Sequence, residues 1–327
     1  MPSVRATDAD VKCIVLSDIH LTLRPPVARS AEPNWLTAQA RPLHQVHDIA
    51  AGYAASGYAA AGVNETPIVV AGDIFDHWHT SPELINWAIR NMPRCYAIPG
   101  QHDMPLHNYA DIHKSAFWTL VEAGVVTLIP PYPSYLELPN GVVLHGFPWG
   151  VPVVPLEVKD PAKYHLAVIH AYIWRPDACY PDAPVEQELG AWHGVLRGYN
   201  AAVFGDNHKG FDAISGECYV MNCGGLQRRK SDEVAYRPAV GLVTARGIAR
   251  HFLDCSADLF IADAAPTTTA AGQAIDLSSF VTGLSELGDT ALDYCEAVRR
   301  YASNTQGIRP GVASLLLRSI GGSHAGG

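Results

Sequence analysis

Five short polar motifs each close an apolar run in this chain: Asp18-Ile-His20, Gly72-Asp73-Ile-Phe-Asp76, Gly100-Gln101-His102-Asp103, His170 and Gly205-Asp206-Asn207-His208. Their carboxylate and amide oxygens and imidazole nitrogens are donors that divalent cations accept. Two such ions about 3.5–4 Å apart clamp the attacking and leaving oxygens of an in-line phosphoryl displacement. The set therefore implies two-ion hydrolysis of a phosphoester, and nothing else in the sequence points to a chemistry as strongly.

Taken singly, each motif has an ordinary structural reading. Asp18 and His20 lie two apart and so share one side of an extended segment, but Asp-x-His is a common pattern. Asp73 and Asp76 can form a capped turn, and Gly100-Gln-His-Asp can be a plain loop. A lone His170 is more often a satisfied core histidine than a ligand. Gly205-Asp-Asn-His can be a turn, because Asn and Asp tolerate left-handed backbone. Their shared placement and fixed order favour the joint metal reading.

The elements that must position them are short. Val11–Leu16, Pro67–Ala71, Cys95–Ile98, Leu166–Ile169 and Ala201–Phe204 read as strands buried on both faces. Between some of them lie helical patterns: Leu43 to Tyr58, a segment opened by Ser81-Pro82-Glu83 and running through Ile89, and Lys114 to Ala123. Ser81 suits an N-cap and Pro82 the first turn. Strands alternating with helices predict a layered α/β domain, in which ligands collect beyond the carboxyl ends of the strands. All five motifs fall there. A further strand-rich set, Val142–Phe147, Tyr219–Met221 and Val240–Val243, is expected to form the other sheet of a sandwich.

The chain has 327 residues, 48% of them hydrophobic, enough for one core of roughly 250 residues plus an appendage. Ala, Thr and Pro dominate from Ala262 to Ala274. The expected division is a catalytic domain over 1–260, a linker over 261–275, a helical cap or partner-docking segment over 276–320 and a flexible tail over 321–327. No apolar run approaches the ~18–20 residues of a membrane span, and Met1 to Asp10 lacks a basic-then-apolar signal. Seven cysteines, an odd number without a Cys-x-x-Cys pair, fit a reduced cytoplasmic setting. The formal charge of −9 argues against a broad basic surface that coats nucleic acid. It leaves a nuclease open, since acidic metal ligands contribute to that total and bound cations offset them.

The order Asp-x-His, Gly-Asp-x-x-Asp, Gly-Asn-His-Asp, His, Gly-His-x-His marks the calcineurin-like metallophosphoesterases, and this chain resembles them across residues 11–250. More narrowly it is similar to the SbcD-type nucleases of double-strand-break repair and their phage-encoded relatives. Gly72-Asp-Ile-Phe-Asp76, Ile98-Pro-Gly-Gln-His-Asp103, Phe204-Gly-Asp-Asn-His-Lys-Gly210 and Asn222-Cys-Gly-Gly-Leu-Gln-Arg-Arg229 carry that similarity. The resemblance implies a four-layer α/β/β/α sandwich with a small C-terminal helical extension. It implies two divalent ions, Mn²⁺ first among them. Asp18, His20 and His208 would hold one ion, Gln101, His170 and Asp206 the other, and Asp73 would bridge them. His102, oriented by Asp76, would act as general acid or stabilise the scissile phosphate, with an ion-activated water as nucleophile. It further implies a DNA substrate, an SbcC-type coiled-coil ATPase partner and a tendency to dimerise, with no membrane.

Two positions depart from the pattern. Gln101 stands where Asn is usual, and Asp206 replaces the first His of Gly-His-x-His. Both keep a ligating oxygen, and Asp206 shifts the second site toward harder ions such as Mn²⁺ or Mg²⁺.

Weaker candidates surround the set. His77, His79, His107, Lys209, Arg228 and Arg229 could meet substrate, against the plain reading of solvated loops. Trp35, Trp78, Trp149 and Trp174 could stack on bases, against the plain reading of core packing. His44 and His47 read as surface residues of a helix. The nuclease reading competes with a phosphodiesterase or phosphatase for nucleotides or other small phosphoesters, and with a scaffold built on a degenerate site.

Overall fold

The computed structural model describes residues 11–57, 66–157 and 159–261. Its strands, in chain order, are β1 Val11–Leu16, β2 Ile68–Ala71, β3 Cys95–Ile98, β4 Val126–Leu128, β5 Leu136–Glu137, β6 Val142–Phe147, β7 Tyr164–His170, β8 Ala201–Gly205, β9 Phe211–Ser215, β10 Cys218–Asn222, β11 Ala239–Thr244 and β12 Gly247–Phe252. They form two six-stranded sheets, ordered β12-β11-β1-β2-β3-β4 and β5-β6-β7-β8-β10-β9. Within the first, β1 to β4 run parallel; within the second, β6, β7, β8 and β10 run parallel. The strands β5, β9, β11 and β12 join at the edges as antiparallel partners.

Alternation along each strand explains why the runs read as continuously apolar. In β1, Cys13 and Val15 face the core between the sheets, whereas Ile14 and Leu16 face the helices. The inter-sheet core joins Val69, Ala71 and Ile98 to Leu144, Leu166, Val168 and Val203. Burial on both faces selects such strands.

Helices α1 (Trp35–Gly57), α2 (Pro82–Asn91) and α3 (Ala116–Glu122) contribute to the core on the outer face of the first sheet. Ser81 Oγ caps α2 by accepting from Leu84 N, and Ser115 Oγ caps α3 by accepting from Trp118 N. The helix expected from Leu43 begins eight residues earlier, at Trp35. Asn34 Oδ1 accepts Thr37 N at that start, and Pro42 sits inside the helix, which tolerates the lost hydrogen bond. The helix expected from Lys114 opens instead with a 3-10 turn over Tyr109–Lys114.

The sandwich differs from expectation in two respects. Val240–Val243 belongs to the first sheet, as β11 beside β1, while Leu166–Ile169 and Ala201–Phe204 belong to the second. A buried strand's pattern records that both faces are covered but not which neighbour pairs with it. The outer layer over the second sheet packs Ile173, Ala178, Leu196 and Tyr199 onto Phe147, Ile169, Ala202 and Phe204. Among the described residues that layer is loop with 3-10 turns at Val185–Gln187 and Leu189–Trp192, not α-helix.

The chain divides into two units, Met1–Ala265 and Pro266–Gly327. The second unit lies outside the described residues, as do the expected linker beyond Ile261, the helical segment and the tail. Among the described residues no helix is long and apolar enough to cross a membrane. The six described cysteines are free.

Candidate metal centre

All five motifs lie at the carboxyl ends of parallel strands, three from the first sheet and two from the second. The site therefore straddles the edge where the sheets meet. Backbone there is held in conformations that ordinary residues avoid: Asp18, His20, Asp73 and Asp206 have φ of 51°, 47°, 55° and 94°. Such strain persists only where surrounding bonds enforce it. Asp18 N and His20 N donate to Gly72 O and Asp73 O, and Leu226 N donates to Asp18 O. Gln227 Nε2 donates to Ile19 O.

Three groups of donor atoms converge, each within 4.8 Å: Asp18, His20 and His208; His20, Asp73 and His102; Asp18, Asp73 and His170. The Nε2 atoms of His20 and His208 are 3.0 Å apart. Each lies 3.8 Å from Asp18 Oδ1, and His20 Nε2 lies 3.6 Å from Asp73 Oδ2. These are the separations of atoms that share a cation at about 2.0–2.2 Å.

The hydrogen bonds aim the lone pairs inward. His170 Nδ1 donates to Ala71 O at 2.6 Å, which turns Nε2 toward the centre. His170 Nε2 and Asp73 Oδ2 are buried 3.4 Å apart without forming a hydrogen bond. Gln101 Nε2 donates to Asp206 Oδ1 at 2.9 Å, leaving Gln101 Oε1 buried without a partner. Asp206 N points at both oxygens of Asp18 at 3.1 Å. Buried polar atoms without partners are rare in native proteins and call for an explanation. Here one explanation serves all three: the donors fit divalent ions.

Electrostatics give the same account. Burial pushes the Asp18 carboxyl up to about 8, with the Asp73 and Asp206 charges adding to it against the pull of His170 and Ser17. Burial also opposes ionisation of Asp73, but His170 and His20 hold its carboxyl well below the ordinary range. His170 is raised to about 10, its burial outweighed by Asp73, Asp18 and Asp206. The His208 imidazole is pushed well below its ordinary value by burial and then by His20 and Lys230. Packed acids thus demand positive charge, while His208 stays neutral and able to ligate.

His102 stands beside this cluster, its ring centroid 5.0 Å from that of His20. Its main-chain N donates to Asp73 Oδ1, and its Nδ1 donates to the carbonyl of Asp76 at 2.8 Å. Asp76 therefore orients His102 through its backbone. The Asp76 carboxylate serves elsewhere: Oδ1 is 3.2 Å from His20 Nδ1 and accepts Arg229 Nη1 at 2.6 Å. Against burial, His20 and Arg229 hold it far below the ordinary carboxylate range.

The weaker candidates separate. Arg229 joins the centre through Asp76. Arg228 does not: its guanidinium donates to Asp258 Oδ2, Val234 O and Cys255 O and lies over the Phe260 ring. Those partners give it a packing role instead of the phosphate contact its sequence neighbourhood suggested. His107 Nδ1 donates to Gln101 O, with the Trp149 ring 5.3 Å away. His77 is an exposed loop residue stacked on Trp78. Lys209 Nζ donates to Cys179 O. Trp35 is buried at the start of α1.

Three positioning residues sit in or beside the motifs without having stood out as functional. Asp103 is fully buried and accepts from Gly100, Ile74 and Phe75 amides, tying the β2 loop to the β3 loop. Asn207 and Gln227 fix neighbouring backbone with the opposite polarity, their side-chain amides donating to the carbonyls of Ile173, Ala178 and Ile19. Their signal was only adjacency to ligands.

Residues 11–210 match the family profile described as calcineurin-like phosphoesterase. Comparison with curated proteins returns no match. Among solved structures, the Termus thermophilus sulfate thiohydrolase SoxB in complex with glycerol aligns at 11% identity and a TM-score of 0.42, covering 86% of this chain and 60% of that one. A putative 5′-nucleotidase from Staphylococcus aureus aligns at 10% identity and 0.39, covering 84% and 57%. The phosphopantetheinyl hydrolase of Mycobacterium tuberculosis aligns at 12% and 0.36, covering 76% and 99%. This chain thus spans less than two thirds of the length of the first two. The profile match extends over more than half of the chain and includes every motif of the centre, and on that ground the chain belongs to the calcineurin-like phosphoesterases.

Proposed function

We propose that this chain is a two-metal phosphodiesterase acting on DNA, an exo- or endonuclease subunit of the SbcD type. The observation that carries the hydrolytic reading is the convergence of Asp18, His20, Asp73, His170 and His208, with His102 beside them. Asp18, His20 and His208 would hold one ion, Gln101, His170 and Asp206 the other, and Asp73 would be shared. Oxygen donors at Gln101 and Asp206 favour Mn²⁺ or Mg²⁺ at the second position. When bound, the ions supply charge for the phosphoryl oxygens and an activated water.

The protein groups do the rest. His102, fixed through Nδ1, presents Nε2 to pass a proton to the leaving oxygen or to hydrogen-bond the phosphoryl group. Asp76 and Arg229 hold the His20 imidazole in one orientation. On the rim, His107 and Trp149 offer aromatic surface beside Gln101 that suits bases. The segment Asn222 to Arg229, similar to its SbcD counterpart, runs under the centre through Leu226 and Gln227.

A second reading, hydrolysis of nucleotides or other small phosphoesters, is favoured by a cavity of about 320 Å³ that adjoins Asp206 and His208. The deciding experiment compares single- and double-stranded DNA with bis-p-nitrophenyl phosphate and mononucleotides, all with Mn²⁺. DNA cleavage is expected, enhanced by an SbcC-type ATPase. Cleavage of small esters alone, with that partner present, overturns the nuclease reading. A protein that retains no metal after Mn²⁺ loading would be a scaffold instead.

A further inference from the structure

The loop that follows β7 is stitched to the loop that follows β8. Asn207 Nδ2 donates to Ile173 O and to Ala178 O, both at 2.8 Å, and Lys209 Nζ donates to Cys179 O at 2.6 Å. Asn222 Nδ2 secures the same stretch from below by donating to Asn207 O and Lys209 O. The segment so clamped carries Tyr172 and Tyr180. Their ring centroids are 4.8 Å apart at a 58° tilt, and Tyr180 N donates to Tyr172 Oη. An aromatic wall is thereby held at a set position relative to Asp206 and His208.

That wall faces a cavity of about 320 Å³, lined by Tyr172, Tyr180, Lys209 and Lys230 together with Asp206 and His208 themselves. Its size is at the low end of ligand sites, which span about 300–1,000 Å³. It is of the size of one nucleotide unit. Tyr180 is 45% exposed and lines the cavity beside Asp206 and His208. Bases stack on such rings whatever their identity. The carboxylate of Glu233, which also lines the cavity, is engaged by the amides of Arg229 and Lys230. The Lys230 ammonium adds positive charge on the side of His208.

We propose that this cavity is a nucleoside subsite. It takes the base and sugar of the nucleotide whose phosphate lies at the metal centre, with the base stacked on Tyr180 and Lys230 beside the phosphate. The proposal rests on the phosphodiesterase reading for the position of that phosphate. Asn207, which also lines the cavity, is then a positioning residue through its donations to Ile173 O and Ala178 O, which fix the stacking wall relative to Asp206 and His208.

The test is binding, measured by isothermal titration calorimetry on the full chain loaded with Mn²⁺, with dAMP and 2-deoxyribose 5-phosphate as probes. The base should tighten binding about 10-fold, which corresponds to about 1.4 kcal/mol and falls within the range for stacking one base. Tyr180→Ala should bring the two affinities within about twofold of each other, and Tyr180→Phe, which keeps the ring, should restore the preference. Equal affinity of the unaltered protein for the two probes, or a preference that survives Tyr180→Ala, overturns the subsite while leaving the metal centre standing. Binding of neither probe removes the phosphate site itself and takes both readings with it.

Discussion

His20 Nδ1 lies 3.2 Å from Asp76 Oδ1, the oxygen that also accepts Arg229 Nη1 at 2.6 Å. This chain of three side chains ends on a ring whose Nε2 faces Asp18, Asp73 and His208. A carboxylate behind a ligating histidine fixes its tautomer and raises its basicity, and its loss typically weakens metal binding 10–100-fold. Asp76→Asn should therefore raise the Mn²⁺ dissociation constant by about that factor. Competition with a chromophoric chelator reads the change; unaltered affinity would show that Asp76 is not the support of His20.

His102 makes the opposite prediction. Its ring is tied to a carbonyl, not to a carboxylate, and it belongs to one donor group only, with His20 and Asp73. His102→Ala should lower turnover of bis-p-nitrophenyl phosphate by about 10²–10⁴. Metal content, measured by elemental analysis, should stay near that of the unaltered protein. Full activity in this variant would remove His102 from the chemistry, and loss of metal would make it a ligand.

The contrast between these histidines marks how far the sequence could be read. Strand ends are legible because a buried apolar run must stop where polar side chains start, and so Asp18, Asp73 and His170 read as one set, which the structure brings together, while Asp206 stands beside them bonded to Gln101. Partnerships between distant segments were not legible. Nothing near Asp76 in sequence announces Arg229, and nothing near Arg228 announces that Asp258, Val234 and Cys255 consume its donors. Likewise the pattern of β11 fits either sheet, and only its antiparallel register with β1 assigns it. Pro42 masked the first turns of α1 because a proline reads as a boundary even where the helix absorbs it.

Removing metal should destabilise the fold. With Asp18, Asp73 and His170 buried against one another, the empty centre must be held by protons in place of ions. An ion present at 100 times its dissociation constant adds about 2.7 kcal/mol. For a domain of this size each kcal/mol moves the melting temperature by about 2–4 °C. Exhaustive chelation should thus lower the melting temperature by roughly 5–10 °C per strongly bound ion, and re-addition of Mn²⁺ should restore it. Identical melting curves with and without chelator would argue that no ion stabilises this site.

Away from the centre, His145 gives a pH dependence with a defined sign. His165 Nε2 donates to Asp160 O, so His165 Nδ1 accepts from His145 Nε2 at 3.1 Å. His145 Nδ1 is then a buried lone pair with no acceptor nearby for an added proton. Burial, with a smaller contribution from His165, depresses the imidazole to about 4. Between the unfolded value of about 6.5 and that folded value, the unfolded chain takes up a proton that the folded chain refuses. Stability should fall by about 2–3 kcal/mol as pH drops through this window and level off below it. Urea unfolding from pH 7 to pH 4 should be flatter for His145→Gln; parallel curves for the two proteins would refute the assignment.

Two glycines separate backbone strain from collision at the centre. Gly72 has φ +91°, and a Cβ there would meet His170 Nδ1 at 2.2 Å, closer than atoms can approach. Gly124 has φ +68° with nothing within 4 Å of a Cβ. Gly124→Ala should therefore lose only the left-handed backbone preference, about 1–2 kcal/mol. Gly72→Ala carries that loss and must also displace the imidazole, which adds about 1–3 kcal/mol of overpacking. Because His170 is pinned through Nδ1 to Ala71 O, the ring cannot retreat without turning Nε2 away from Asp73. Gly72→Ala should then bind fewer equivalents of Mn²⁺, whereas Gly124→Ala should keep the full number at reduced stability. Equal metal content in both variants, measured on folded protein, would mean that the approach of Gly72 to His170 does not shape the second site.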